Sequence, residues 1–543
     1  MLQVYSTLSR KKEPFHKQPG DAVSLYVCGP TVYKPSHIGH MVGPVIFDTV
    51  KRYLTYLGYQ VTWVVNITDV DDKLIVRAKE LNTTVPELAT RMTADYQDCL
   101  KKLNVIGIDH FPKATDHIPG MIAMMDRLIQ KGYAYAAGGD VYFDVSKDHD
   151  YGKLCNRDPE QLEAGARIEV TGKKKNPGDF ALWKGAKPSE PQWDSPWGPG
   201  RPGWHIECSV MSQALLGDTL DIHGGGLDLE FPHHENELAQ SESDTGKPFA
   251  HVWMHNGLLK MGTAKMAGSV GNVVNIADLL QRHSAETVRF LLLCSHYRSP
   301  IEYSEERLDE IKTALQAFYR FFERYERMTG ESYYKINPPQ TRIAINVDEF
   351  DGGDGWGSGL QGVPVEFTVL QPNTSGGEFL GGGQVYPAGF LLLHSTATLR
   401  DRCLEYLDDD FNTGGAVGII YELLTVLNRF ADDKYLDMPS RLPKLLGAFK
   451  VAVVALRELT SILGLFSESP PALKLGGDDA LVAGLMQLLI DVRNNLRTEA
   501  KVAAKDNPLK KPIFDQMDLI RARLGELKVT LEDRPGGTTW RVV

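Results

Sequence analysis

The stretch from residue 24 to residue 67 constrains the fold more than any other part of the chain. Residues 24–27 are an apolar run that predicts a buried strand, a Gly-Pro loop follows, and a helical pattern runs from about residue 36 to residue 57. Residues 60–67, QVTWVVNI, predict a second buried strand. Strand, helix and strand form a βαβ unit, whose strands are parallel and bind ligands at their carboxyl ends. We therefore expect an α/β fold built on a Rossmann-type parallel sheet.

Two histidines mark the predicted start of the helix. His37 and His40 are three residues apart and share one face of the first turn, and Gly39 between them would let a flat ring or a phosphate approach the backbone. The first turn of a helix also offers unpaired N–H groups and the positive end of the helix dipole to an anion. The pattern predicts a nucleotide site, although a surface pair or half of a metal site has the same spacing.

Composition and charge narrow the functional classes. A chain of 543 residues predicts roughly three or four domains, and a formal net charge of −11 gives no support to nucleic-acid binding over the whole surface. The first residues lack the apolar segment of a signal peptide, and no apolar run is long enough to span a bilayer. The 6 cysteines form no CxxC pair, so disulfides are not expected. We expect a cytoplasmic protein without membrane contacts.

Short blocks of sequence between residues 20 and 330 point to a family. They are CGPTVY at 28–33, HIGH at 37–40, NITDVDDK at 66–73, GWHIECS at 203–209, DIHGGG at 221–226 and FPHHENE at 231–237. In this order the blocks resemble the cysteinyl-tRNA synthetases, which are class I aminoacyl-tRNA synthetases. The resemblance implies that cysteine and ATP form cysteinyl-adenylate and that the cysteine is then transferred to tRNA(Cys).

A candidate metal site includes residues from distant parts of the chain. His233 and Glu237 are four residues apart, so on a helix they lie on one face and can approach one ion. By residue types alone, a surface pair and two core cysteines at 28 and 208 would be favoured. The resemblance instead implies one zinc ion per chain, bound by Cys28, Cys208, His233 and Glu237. Zinc binds a cysteine thiolate far better than a serine hydroxyl, whereas an apolar pocket gains only about 1–3 kcal/mol from so small a difference.

The resemblance also implies roles for further residues. Catalytic roles fall on His37, His40, Lys265 and Ser269. The residues implied to bind ATP are Gly29, Thr31, Gly39, His223, Gly224, Gly225 and Lys265. The residues implied to bind cysteine are Thr68, Trp204 and Asp228. Asp228 is suited to pair with the substrate ammonium group, whereas Trp204 is equally compatible with a core position. ATP chemistry implies Mg²⁺, for which no residue identifies a site.

The same comparison of motifs divides the chain into seven segments. They are 1–137 and 201–275 as the two halves of the catalytic domain, 138–200 as an insertion that contacts the tRNA acceptor end, 276–330 as a helical stem-contact region, 331–395 as a Gly-rich insert with β-type runs at 342–347, 363–370 and 390–393, 396–470 as a helical bundle, and 480–543 as an anticodon-binding region. We expect α-helical C-terminal domains and a monomer.

Two other functions remain open at this point. The cysteine ligase of mycothiol biosynthesis shares the nucleotide and zinc blocks, but it would not need the family-like region after residue 406. A catalytically weakened, tRNA-binding paralogue would explain why the stretch 265–269, KMAGS, departs from the KMSKS motif of the class. Gly268 replaces the second lysine of that motif, and Lys34 stands where the family usually has an acid.

The glycine at 268 leads to a first prediction. Loss of a cation that stabilises the leaving pyrophosphate costs on the order of 2–4 kcal/mol of transition-state stabilisation. We expect Gly268→Lys to raise the rate of adenylate formation, measured by cysteine-dependent ATP–pyrophosphate exchange. An unchanged or lower rate would contradict the idea that Gly268 limits turnover.

Overall fold

The structure is a computed structural model of the 543-residue chain. The residues it describes are 1–156, 173–261, 264–265, 273–342, 377–380, 384–470, 479–502, 507–527, 529–534 and 537–542. Gly268, Ser269, the predicted run 363–370 and nearly all of 342–347 lie outside the described residues, as does the side chain of Lys265.

The described part of the chain alternates short strands and helices before it becomes mainly helical. The strands are β1 (Gln3–Ser6), β2 (Lys11–Pro14), β3 (Ala22–Val27), β4 (Gln60–Val65), β5 (Ala134–Ala137), β6 (Asp140–Phe143), β7 (Phe180–Gly185), β8 (Gly200–Pro202), β9 (Leu220–Gly226), β10 (Ala250–Asn256), β11 (Leu259–Met261), β12 (Ala264–Lys265), β13 (Ile301–Glu302), β14 (Gly377–Leu380), β15 (Gln384–Pro387), β16 (Val529–Arg534) and β17 (Gly537–Val542). The helices are α1 (Ile38–Tyr56), α2 (Asp72–Glu80), α3 (Val85–Lys102), α4 (Ile118–Gln130), α5 (Trp204–Leu216), α6 (Glu235–Thr245), α7 (Ile276–Arg282), α8 (Ala285–Leu293), α9 (Glu305–Thr329), α10 (Ala388–Asp408), α11 (Thr413–Asp433), α12 (Pro443–Ile462), α13 (Asp479–Val502) and α14 (Lys510–Glu526).

A four-stranded parallel sheet in the order β10-β9-β3-β4 carries the candidate site. Its strands are mostly apolar, as expected for a parallel sheet covered on both faces. Helix α1 connects β3 to β4 and buries most of its residues, which confirms the predicted βαβ unit and the α/β class. The carboxyl ends of β3, β4 and β9 lie at one edge of the sheet, where Cys28 N donates to Gly224 O (3.1 Å) and Gly29 N donates to Asn66 Oδ1 (2.8 Å).

A second, antiparallel sheet lies between the two halves of the parallel sheet in sequence. Its order is β5-β6-β7-β8; β6 and β7 lie within the predicted insertion 138–200, whereas β5 precedes it and β8 begins at its end. Its buried residues Phe143, Leu182 and Trp183 belong to the same apolar cluster as residues of α4 and α5. The insertion is therefore packed on the helices that flank the site.

Helices dominate the rest of the described chain, as predicted. Residues 390–393 are the exception to the predicted pattern, because they lie in α10 and not in a strand. A short apolar run fits either structure, and here Leu392 and Leu393 are both buried among the C-terminal helices. None of the helices in the described ranges is apolar over a length that would cross a membrane.

Buried polar contacts join α1 to the C-terminal helices. Arg400 on α10 donates to both carboxylate oxygens of Glu458 on α12, at 2.6 and 2.8 Å, and both side chains are 1% exposed. Tyr56 at the end of α1 donates its hydroxyl to Glu458 Oε1 (2.6 Å) and accepts from Arg400 (2.7 Å). The three groups satisfy one another where water is excluded.

This contact predicts a large effect on stability. Arg400→Met leaves the Glu458 carboxylate buried without its cation, which should cost about 3–5 kcal/mol. Arg402 on the same helix pairs with Glu422 at 2.9 Å, with side chains 46% and 51% exposed. Arg402→Met should therefore cost less than about 1 kcal/mol. Chemical denaturation measures both variants, and equal shifts would contradict the assigned role of the buried pair.

Candidate functional site

Four potential metal ligands meet at the edge of the parallel sheet. Cys28 follows β3, Cys208 lies on α5, His233 lies in the turn before α6, and Glu237 lies in the first turn of α6. One ligand atom from each lies within 4.8 Å of the others, and all but Cys28 are buried. The sequence-predicted set Cys28, Cys208, His233 and Glu237 is therefore brought together.

Individual distances fit a compact donor set. The Cys28 and Cys208 sulfurs are 3.7 Å apart, Cys28 Sγ is 3.3 Å from Glu237 Oε1, and Cys208 Sγ is 3.6 Å from His233 Nε2. His233 Nε2 is 2.8 Å from Glu237 Oε1, as the four-residue spacing predicted. Two sulfurs, an imidazole nitrogen and a carboxylate oxygen are donors that suit tetrahedral zinc.

Neighbouring histidines hold these ligands in place. His223 Nε2 forms a 2.8 Å hydrogen bond with Glu237 Oε2, the oxygen that does not face His233. His205 Nδ1 forms a 2.9 Å hydrogen bond with His233 Nδ1, on the side of the ring away from the other ligands. Such outer contacts fix the orientation of metal ligands.

Electrostatics at this group favour a bound cation. Burial alone would raise the pKa of Cys208, but hydrogen bonds from Cys28 and His233 outweigh it and lower the pKa to about 6. Burial would also raise the pKa of Glu237, whereas His233 and His223 hold it well below its usual range. Cys208 and Glu237 are therefore favoured in the ionised forms that bind a metal. Burial and then Cys208 raise the pKa of Cys28, whereas the Glu237 carboxylate outweighs burial and raises the pKa of His233 to about 10. A metal ion would displace the protons of Cys28 and His233.

A second grouping of possible ligands overlaps the first. It consists of Cys28, His223, His234 and Glu237, whose ligand atoms also lie within 4.8 Å of one another. His234 Nδ1 forms a 2.8 Å hydrogen bond with His255 Nε2, and His234 Nε2 is buried without a hydrogen-bond partner among the described residues. Because the first group includes the low-pKa thiol of Cys208, it fits zinc better.

The predicted nucleotide residues lie at the start of α1. His37 is the residue before the helix, and its ring stacks on that of His40 with centroids 3.6 Å apart. Burial and then Lys34 lower the pKa of His37, while burial and then His37 lower the pKa of His40 to about 3. Both rings are therefore neutral at pH 7 and act as hydrogen-bond donors or acceptors. His37 Nδ1 is buried without a hydrogen-bond partner among the described residues.

Close packing explains two of the glycines predicted to bind ATP. A Cβ on Gly29 would lie 1.8 Å from Asn66 O, and a Cβ on Gly224 would lie 2.2 Å from the Phe47 ring on α1. Glycine is required at both positions because backbone and helix approach the strand ends directly. A Cβ at Gly225 would meet the His234 ring at 2.8 Å, and one at Gly39 would meet His37 Nδ1 at 2.9 Å.

The remaining predicted residues occupy different surroundings. His223 is fully buried and contacts Glu237, so its side chain faces the metal group. Thr31 and Thr68 are paired through a parallel β-bridge next to the ends of β3 and β4. Trp204 is 38% exposed, and its ring stacks on that of His233 at 3.9 Å. Asp228 is exposed, in the turn Leu227–Leu229 that follows β9.

Sequence reasoning missed two residues at this site. Glu207 is 1% exposed and accepts a hydrogen bond from Thr68 Oγ1 (2.9 Å); burial and then Cys208 raise its pKa well above the usual range. His205 contacts His233, as described above. Both precede Cys208 in the GWHIECS block, and the three-residue spacing from His205 to Cys208 was the available signal.

Comparisons with known proteins agree with this geometry. The model for the catalytic domain of class I (C) tRNA synthetases matches residues 14–313, and the DALR domain model matches residues 404–467. A cysteine–tRNA ligase of Pseudomonas paraeruginosa is 42% identical over 544 residues, covering 100% of each chain. One from Pseudomonas syringae pv. syringae is 41% identical with the same coverage.

Solved structures of other synthetases share the fold. Mycobacterium tuberculosis methionyl-tRNA synthetase bound by methionyl-adenylate has a TM-score of 0.57 at 16% identity, covering 81% of this chain and 91% of the other. The ternary complex of Agrobacterium radiobacter K84 agnB2 LeuRS with tRNA and LeuAMS has a TM-score of 0.53 at 10% identity, covering 83% and 86%. With the full-length identity above, these findings place the chain in the cysteine–tRNA ligase family of class I aminoacyl-tRNA synthetases.

Proposed function

We propose that the chain performs the reaction of its family, the ATP-dependent ligation of cysteine to tRNA(Cys), by selecting cysteine at a zinc ion. Cys28, Cys208, His233 and Glu237 would bind this ion. The observation that carries the proposal is the convergence of these four donors within 4.8 Å at the carboxyl edge of the sheet. Because one chain supplies every ligand, the proposal needs no partner subunit.

Selection against serine is the reason for a metal at this site. Serine and cysteine differ by one atom, and shape alone distinguishes such substrates by only about 1–3 kcal/mol. A zinc ion held by these four residues would bind the substrate thiolate directly, as an additional fifth ligand. Discrimination then occurs at binding and needs no separate editing reaction.

The protein's own residues orient the substrate around that ion. Trp204, stacked on His233 and 38% exposed, forms an apolar wall at the mouth of the site. Asp228, in the exposed turn after β9, is suited to pair with the substrate ammonium group. Thr68, held by Glu207, completes the polar side of the pocket. His205 and His223 keep His233 and Glu237 oriented.

ATP would bind at the start of α1. Neutral His37 and His40 donate hydrogen bonds to phosphate oxygens, next to the positive end of the helix dipole. Gly29, Thr31, Gly39, Gly224 and Gly225 would line the nucleotide site at the strand ends with their backbone, and Lys265 and Ser269 would act on the phosphates, with Mg²⁺ as counterion. The cysteine carboxylate then attacks the α-phosphate and pyrophosphate leaves. A hydroxyl of the tRNA terminal ribose next attacks the carbonyl of cysteinyl-adenylate, the ester forms, and AMP leaves.

Two further segments would contact the tRNA. We assign the acceptor end to the insertion 138–200, because its sheet packs on the helices beside the site. We assign anticodon binding to residues 480–543. There α13, α14, β16 and β17 form a unit with its own small core, made of Met486, Ile490, Leu524 and Leu531. This division leaves 331–395 without an assigned role.

The zinc assignment predicts how a single ligand change acts. Cys208→Ser should lower bound zinc from about one per chain to a small fraction and raise the KM for cysteine at least about 10-fold, because a soft ligand is lost. Metal analysis and cysteine-dependent ATP–pyrophosphate exchange measure the two effects. Cys99, buried at 2% exposure on α3, provides the matched control, and Cys99→Ser should retain zinc. If Cys208→Ser retained its full content of zinc, Cys208 would not be a zinc ligand.

A further inference from the structure

Lys34 and Lys73 lie beside the ring of Tyr33, a residue shortly before α1 in the chain. The ammonium groups of Lys34 and Lys73 are 5.4 and 5.6 Å from the centroid of the Tyr33 ring. Both side chains belong to exposed residues, and among the described residues neither forms an ion pair. Two ammonium groups beside one aromatic ring, neither with a carboxylate partner in the described part of the chain, favour a nearby anion.

Nearby carboxylates are already engaged elsewhere. Asp71 caps α2 by accepting from the backbone N–H of Lys73 (2.8 Å), and Asp72 pairs with Lys184 and Arg201. Asp95 accepts from the backbone N–H of Ser36 (2.7 Å). The lysine charges therefore remain available to a ligand.

Lys34 is electrostatically close to the candidate phosphate site. Its charge adds to burial in lowering the pKa of His37, the residue at the start of α1. His37 Nδ1 is itself buried and has no hydrogen-bond partner in the described part of the chain. A phosphate bound at this turn would meet this ring nitrogen and the Lys34 ammonium.

The chain that follows the KMAGS stretch is fixed to the same turn. Ile38 N donates to Val274 O (3.0 Å), and Ile276 N donates to Ser36 O (3.0 Å). Residues on both sides of His37 are thus hydrogen bonded to residues just beyond that stretch.

We propose that Lys34, assisted by Lys73, binds the β- and γ-phosphates of ATP and stabilises the leaving pyrophosphate. This inference rests on the proposed function and adds catalytic residues to it. Gly268 stands where the motif of the class has a lysine, and Lys34 adds a positive charge in the turn before α1. In the reaction the α–β phosphoanhydride bond breaks, and both lysines neutralise the charge that develops on the bridging oxygen.

The test measures adenylate formation without tRNA. Lys34→Ala should lower cysteine-dependent ATP–pyrophosphate exchange about 10- to 100-fold, Lys73→Ala should lower it less, and Lys34→Arg should retain most of it, because a charge is kept. Lys79 is exposed on the same helix as Lys73, and Lys79→Ala is the matched control without effect. Bound zinc and the KM for cysteine should not change in Lys34→Ala, which separates this inference from the zinc proposal.

Two further measurements decide the outcome. Calorimetric titration with inorganic pyrophosphate should show weaker binding to Lys34→Ala than to the unsubstituted protein. This titration measures pyrophosphate affinity even in a variant whose exchange activity is undetectable. Gly268→Lys should restore exchange more strongly in the Lys34→Ala background than in the unsubstituted chain. Unchanged exchange and unchanged pyrophosphate binding in Lys34→Ala would overturn the proposal. A selective loss of transfer to tRNA would also overturn it and assign the lysines to the tRNA acceptor end.

Discussion

The buried carboxylate of Glu237 is the group on which the candidate site depends. One of its oxygens lies 2.8 Å from His233 and 3.3 Å from Cys28, and the other is 2.8 Å from His223. A fully buried carboxylate is costly unless cations or donors surround it, so these neighbours and a bound cation stabilise one another. The same carboxylate connects α6 to the ends of β3 and β9, and the metal group is in this way part of the packing between sheet and helix.

The helix that carries the nucleotide residues is anchored far from them in sequence. Asp48 on α1 accepts from Arg289 on α8 (2.5 Å), and Arg289 also donates to Leu463 O (2.9 Å) at the end of α12. Tyr53 donates to Asp408 (2.6 Å) near the end of α10. Because α1 begins at the histidine pair, the position of the phosphate site depends on the packing of helices more than 350 residues away.

The fold was predictable from the sequence where local pattern decides it. The βαβ unit followed from apolar runs and helical periodicity, and the contact of His233 with Glu237 followed from their spacing. Cys28 and Cys208 are 180 residues apart, so no local pattern could predict that they meet. Their grouping was predicted from the resemblance of the motifs to the family. The hydrogen bond between His223 and Glu237 depends on how β9 packs against α6, and sequence periodicity does not predict such packing. The strand predicted at residues 390–393 is a helix in the structure. A short apolar run fits a strand or a helix, and its tertiary neighbours decide between them.

The polar strands β16 and β17 also could not be predicted from the pattern of apolar residues. β16 and β17 pair antiparallel over six residues each, yet Thr, Glu, Asp and Arg predominate in them and give little alternation of apolar side chains. Their packing rests on a few residues, with Leu531 buried and Trp540 packed against the same small cluster. A hairpin of this kind is stabilised mainly by the helices beside it.

In the proposed reaction, the substrate thiolate binds the zinc held by Cys28, Cys208, His233 and Glu237. X-ray absorption at the zinc edge counts the sulfur atoms bound to the metal. We expect two sulfurs for the protein alone, three after addition of cysteine, and two after addition of serine. A sulfur count that stays the same when cysteine is added would contradict binding of the thiolate to zinc.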